Sequence, residues 1–311
     1  MTRSTLVARR MNETARLDMK STMTAGQVLK GIEFAHPEGS APLLLDLYLP
    51  ASREQTAALP AIIHFHGGGW RVGGRSSLGP QVDALDLSPI ERLVDAGFVV
   101  ASADYRLSSV AHFPAQLLDA KAAVRWVRSN AASFNMDPDR IYAWGDSAGG
   151  HLASLVGLTA GSAEYAGDEA GLSDAVAAVA AWYPPTDLLH MGEQRLANAV
   201  ASADDPGSRE ALLLGAQPAE APDKAAAASP LTYAGNHAPP FFLAHGTADR
   251  FVPPAQSATL AAALEAAGAD VELLLVEGAD HMWQLPGQDP AAAAQAADAT
   301  LDFFRRQAFK P

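Results

Sequence analysis

A chain of 311 residues, 49% of them hydrophobic, has room for one large α/β domain or two small ones. Its formal net charge of −13 suits neither phosphate backbones nor anionic membrane surfaces, so nucleic acid and membrane are not expected partners. With no cysteine, disulfides, thiolate metal sites and a cysteine nucleophile are excluded.

Residues 1–25 carry scattered charge and no apolar run of secretory-signal length, and no later segment reaches the length of a membrane span. These features predict a soluble, cytoplasmic protein. Leu6, Val7, Arg10, Met11 and Leu17 fall loosely at helical spacing, so this stretch is either a frayed tail or an N-terminal arm that could join a cap.

The runs Leu29–Ala35 and Leu43–Leu49, separated by HPEGSAP, predict an antiparallel hairpin. After Pro60, apolar runs of strand length recur at 61–66, 98–103, 140–145, 175–182, 241–246 and 271–276. Such near-continuous runs suit strands of a parallel sheet covered on both faces. Helices are expected over Pro114–Phe134, Pro254–Ala267 and Pro290–Phe304, each opening at or near a proline. In the first of these, Leu117, Leu118, Val124 and Val127 form an apolar stripe. The alternation predicts an α/β fold with one doubly wound sheet, so residues 26–311 read as a single domain. An Ala-, Asp- and Pro-rich stretch near 188–233 interrupts it, as an excursion over the carboxyl edge or as a plain surface insertion.

Gly145-Asp146-Ser147-Ala148-Gly149 falls where an apolar strand ends and a small-residue helix begins, the context that a G-x-S-x-G nucleophile turn requires. Upstream, His66-Gly67-Gly68-Gly69-Trp70 follows a buried strand. A histidine followed by three glycines arises by chance on the order of 0.002 times in a chain of this length, so the two motifs support each other. Glycines leave backbone N–H groups uncovered, which makes Gly68, Gly69 and Ala148 the candidate oxyanion donors, with His66 bracing the loop. His64 and His66 have the spacing of a zinc pair on one strand face, but no companion cluster follows, so neither metal nor cofactor is expected.

A serine needs a base oriented by a carboxylate. Among the histidines after Ser147, His281 alone falls in a loop that follows an apolar strand and precedes the last helix. Asp249, in a turn sealed by Pro253 and Pro254, is the favoured acid; Asp280 and Asp187 are its rivals. Trp70 and Trp283 stand close in sequence to the catalytic loops and are candidate walls of the substrate pocket, although Trp283 could equally pack under the last helix.

HFHGGGW, SADYRLS, GDSAGGHLA, WYPPTDL, HGTADRFVP and GADHMW, in this order, resemble an α/β-hydrolase of the hormone-sensitive-lipase-like type. They are also similar to bacterial carbohydrate (acetyl or feruloyl) esterases, with kynurenine formamidase a near relative. The resemblance implies an α/β-hydrolase fold and a serine carboxylesterase acting on a small-molecule ester with a short, acetyl-like acyl group. It places the nucleophile at Ser147, the acid at Asp249 and the base at His281, and it gives Asp104-Tyr105-Arg106 a structural part. An arylformamidase-type amidase would use the same triad, and a ligand-binding homologue would use the pocket without turnover. Oligomeric state is left open.

Overall fold

The continuous apolar runs become the central strands of a single sheet in the computed structural model, which describes residues 26–51, 57–167 and 171–309. The expected N-terminal arm lies outside the described residues. The strands are β1 (Gln27–Ala35), β2 (Leu43–Leu49), β3 (Leu59–Phe65), β4 (Val99–Ala103), β5 (Met136–Asp146), β6 (Val179–Trp182), β7 (Phe241–Gly246) and β8 (Val271–Val276). They lie in the order β1-β2-β4-β3-β5-β6-β7-β8. β2 runs antiparallel to both its neighbours, whereas every pairing from β4 to β8 is parallel.

Burial follows position in the sheet. Every residue of β3, β4 and β7 is buried, but the edge strands β1 and β8 expose much of their length and carry Lys30, Glu33 and Glu272. Charge on an edge discourages further strand pairing. Alternate residues serve opposite faces: Ile63, Phe65, Val99 and Ala101 enter one core, and Ile62, Val100, Tyr142 and Trp144 enter the other.

Helix α1 (Pro89–Asp95) follows β3 and opens on a capping box between Ser88 and Glu91. Helix α2 (Ala115–Ser129) buries Leu117, Val124 and Val127 against the first core, and Leu118 stands at its margin. In α3 (Ala148–Leu158) every residue is buried, which its many small side chains permit. The stretch 188–233 is a series of short turns with two six-residue α-helices, of which α4 (Arg209–Leu214) matters below. It is packed down rather than free: Leu188, Leu213, Leu214, Ala225 and Ala228 all join the first core. Helices α5 (Ala255–Ala266) and α6 (Ala291–Ala308) complete the domain, with Phe303 and Phe304 of α6 filling the second core.

The parallel strands β3, β5, β6, β7 and β8 end on one side, and their following loops carry each chemistry-bearing motif of the sequence. Open α/β sheets bind their ligands at that carboxyl edge. Among the described residues, no helix is long and apolar enough to cross a membrane.

Candidate active site

Ser147 sits between β5 and α3 with φ 52° and ψ −117°, a left-handed conformation that L-residues hold only under constraint. Two features impose it. The Ser147 N–H donates to the Trp182 carbonyl at the end of β6, 2.8 Å away. Behind it, a Cβ on Gly149 would overlap the Phe65 carbonyl, so only glycine lets α3 start this close to β3. The result is a partly exposed hydroxyl held above the sheet edge.

His281 comes from the loop after β8. Its Nε2 lies 3.1 Å from Ser147 Oγ and its Nδ1 2.7 Å from Asp249 Oδ2. Met282 and Trp283 both have positive φ, 58° and 63°, and this tight reversal carries the chain down while the imidazole stays at the edge. Tyr183 and Phe251 flank the ring, with centroids 4.6 and 5.5 Å from it.

Asp249 is held from four directions. Oδ1 accepts the N–H groups of Phe251 and Val252 at 2.9 and 2.8 Å; Oδ2 accepts His281 Nδ1–H and lies 3.3 Å from His245 Nε2. Burial opposes its ionisation, but the two imidazoles outweigh burial and hold the carboxyl well below the usual carboxylate range. His245 is itself fully buried between Ser257 Oγ and the Val252 carbonyl.

Asp280, the adjacent rival, faces elsewhere. Its carboxylate accepts the backbone N–H of Arg250 and of His281 and pairs with the Arg250 guanidinium at 2.6 Å. Asp187 pairs with the exposed ring of His190 at 2.8 Å.

The loop after β3 is braced from below. Asp146 Oδ1 accepts the Gly67 N–H at 3.0 Å, the Tyr105 hydroxyl donates to the His66 carbonyl at 2.8 Å, and the His66 and Tyr105 rings stack at 4.3 Å. Gly68 and Gly69 follow with φ of 117° and 60°, and their N–H groups donate to no protein acceptor among the described residues. Ala148 opens α3, so its N–H has no acceptor within the helix. His64 Nδ1 is 2.9 Å from Ser102 Oγ and His66 Nδ1 2.7 Å from the Gly67 carbonyl, so each ring already has a protein partner. Asp104 accepts from Arg75 and Arg106 clasps Asp119, which fixes that segment to the fold.

The two tryptophans are not pocket walls. Trp70 is 1% exposed, its indole turned down to His151. Trp283 is fully buried against Trp182 and Tyr183. Both have positive φ, and that backbone conformation directs their rings into the core instead of toward the serine. The side chains that do border the site escaped the sequence reading: Phe251 and Tyr183 beside His281, and Arg209 lying across Gly69 and against the Phe251 ring. HGTADRFVP did hold a signal for one of them, since Phe251 stands two residues after Asp249 within it.

A strained serine at a strand-to-helix turn, on a mostly parallel eight-stranded sheet with one antiparallel strand near its edge, defines an α/β-hydrolase. The BD-FAE family model matches residues 45–264, and the chain belongs to that family. It is similar to esterase LipQ of Mycobacterium tuberculosis, 32% identical over 86% of this chain and 60% of the relative. It is also similar to isoprenylcysteine alpha-carbonyl methylesterase ICME of Arabidopsis thaliana, 29% identical over 79% and 55% respectively. The chain thus spans a little over half the length of these curated relatives. Among solved structures, a truncated carbohydrate esterase from gut microbiota superposes with a TM-score of 0.76 at 31% identity, covering 93% of this chain and 99% of that one. The propionate-bound esterase Est2 of Thermogutta terrifontis superposes with a TM-score of 0.71 at 28% identity, covering 94% and 98%. That esterase has also been seen butyrate-bound and phosphorylated by paraoxon.

Proposed function

We propose that this protein is a serine carboxylesterase that hydrolyses short-chain acyl esters through an acyl-enzyme. The observation that carries the reading is the continuous relay from Ser147 Oγ through His281 to Asp249, at 3.1 and 2.7 Å.

Neutral His281 donates Nδ1–H to Asp249 and offers the Nε2 lone pair to the Ser147 hydroxyl. As Oγ attacks the ester carbonyl, Nε2 takes its proton and Asp249 stabilises the imidazolium. The carbonyl oxygen, now an alkoxide, meets the N–H groups of Gly68, Gly69 and Ala148, which already point free of protein acceptors and need no reorganisation. Collapse breaks the bond to the alcohol oxygen, which leaves with the proton from Nε2. Water then repeats the sequence on the acyl-serine, releasing the acid and restoring Ser147. Every proton shuttles through one nitrogen, so no metal or organic cofactor is called upon.

The short acyl preference draws support from the propionate- and butyrate-bound forms of the similar esterase. The test is labelling with paraoxon: one diethylphosphoryl group on the peptide containing Ser147, with parallel loss of ester hydrolysis, and neither in Ser147→Ala. Full hydrolysis by Ser147→Ala overturns the assignment.

A further inference from the structure

Arg209 is a cation placed at the mouth of this site with no ion-pair partner among the described residues. Its aliphatic stem lies directly on the oxyanion loop: a Cβ on Gly69 would stand only 2.9 Å from Arg209 Cγ and Nε. Its guanidinium carbon lies 5.5 Å from the centre of the Phe251 ring, which in turn flanks His281. The side chain therefore bridges the oxyanion loop and the acid loop.

Its position is built. Ser208 caps α4 by accepting the Ala211 N–H and donates to the Ala203 carbonyl, both at 3.0 Å. At the other end the Leu213 carbonyl accepts the Phe113 N–H at 2.9 Å, and Leu213 and Leu214 are buried. The helix that carries Arg209 is thus fixed to the fold at both ends.

What the guanidinium lacks is a carboxylate. Among the described residues it makes no hydrogen bond or ion pair, and its contact is the Phe251 face. The neighbouring cation Arg250 is already paired with Asp280. Glu210, next in sequence, is buried, and burial raises its pKa even though the Arg209 charge favours its ionisation; it makes no ion pair with Arg209. A planar, always-charged fork with five donors, partly buried and resting on an aromatic face, matches a carboxylate geometrically. The net charge of −13 repels anions at long range, but salt screens distant charges over about 8 Å, which leaves a local cation in control at the mouth.

We propose that Arg209 reads a carboxylate on the substrate, so that the esters preferred here carry an anionic group a short distance from the scissile bond. This rests on the esterase reading above. The carboxylate could belong to the alcohol or to the acid, and the test separates these. On the alcohol side, meta-acetoxybenzoate is compared with neutral meta-acetoxybenzamide; on the acyl side, monophenyl adipate is compared with phenyl hexanoate.

At low ionic strength the wild type should favour the anionic member of one pair by about tenfold or more in kcat/KM, mainly through KM. Half-molar salt should shrink that ratio. Arg209→Met should bring it close to one and Arg209→Lys should recover part of it. A merely structural role for Arg209 would lower both members together and leave the ratio where it was, in Met and Lys variants alike, and that result overturns the proposal. Wild-type hydrolysis of the neutral esters with no anionic preference in either pair overturns it too, while the esterase reading stands. Hydrolysis of none of the four esters overturns both.

Discussion

Trp70 donates its indole N–H to Nδ1 of His151 across 3.2 Å, tying the oxyanion loop to the helix that begins at the nucleophile. The other nitrogen of His151 donates to the Ala228 carbonyl at 2.6 Å, so one ring joins the loop, α3 and the 188–233 excursion. It can do this only as the neutral tautomer protonated on Nε2. A proton on Nδ1 would set two donors face to face.

Stability should therefore fall in acid. Burial lowers the His151 pKa to about 4, against roughly 6.5 in an unfolded chain. Because the folded value is the lower one, the unfolded state binds more protons between those two values. The contribution is complete above about pH 6.5 and is lost as pH falls toward 4, by on the order of 3 kcal/mol. His66, whose pKa burial also lowers, adds in the same direction. Urea unfolding at about pH 7 and about pH 4.5 measures the loss, and His151→Gln, which cannot titrate, should show a visibly smaller one. Equal losses in the two proteins would remove His151 from the explanation.

Asp249→Asn should lower kcat by about 10³–10⁴. Oδ1 of the asparagine can still accept from Phe251 and Val252, so the loop keeps its shape. The amide NH₂ then faces His281 Nδ1 and forces the proton onto Nε2, where it blocks removal of the serine proton. Asp280→Asn should keep kcat within about tenfold and chiefly cost stability, because its carboxylate serves Arg250 and the backbone. Steady-state kinetics of the two variants decide, and a reversal of the two effects would make Asp280 the acid.

Gly68→Ala should damage kcat by about 10²–10³ with much less change in KM. At φ 117° a Cβ is strained on its own account, and here it would also overlap the Val72 carbonyl. The loop must shift, and the N–H groups of Gly68 and Gly69 shift with it, away from charge that is complete only in the transition state. A raised KM with kcat intact would move the loop from catalysis to binding.

The central strands were legible because burial on both faces leaves a continuous apolar run that little else produces. β2, β7 and β8 have the predicted bounds, and β5 starts four residues early, at Met136, which pairs with Leu59 ahead of a register break. Helix α1 was not legible: seven residues make too short a stripe to stand out. Ser147, Asp249 and His281 could be singled out because each follows an apolar strand run. The tryptophans could not be placed, since a backbone of positive φ at Trp70 and Trp283 reverses the direction that the chain order suggests. Arg209 was illegible for another reason. It reaches the site from a stretch of weak periodicity, sixty-two residues after Ser147, and no local pattern announces a contact that only tertiary packing makes.

Acyl length gives the remaining prediction. A methylene that is buried on binding contributes about 0.8 kcal/mol, close to a fourfold gain per carbon in kcat/KM. Nitrophenyl esters should therefore improve from acetyl toward butyryl while the acyl side has room, and then decline once the chain meets the packed side chains around His281. Tyr183 and Phe251 press on that ring, and Asp249, behind it, is 1% exposed, so there is little slack for the loops to open. The excursion is pinned to the first core through Leu188, Leu213 and Ala228, and so it cannot swing aside cheaply to admit a longer chain. Kinetics on the acetyl, butyryl, octanoyl and decanoyl esters measure the profile. A continued rise to decanoyl would mean that the acyl chain leaves the site by a path over the surface, and the short-acyl assignment would have to be given up.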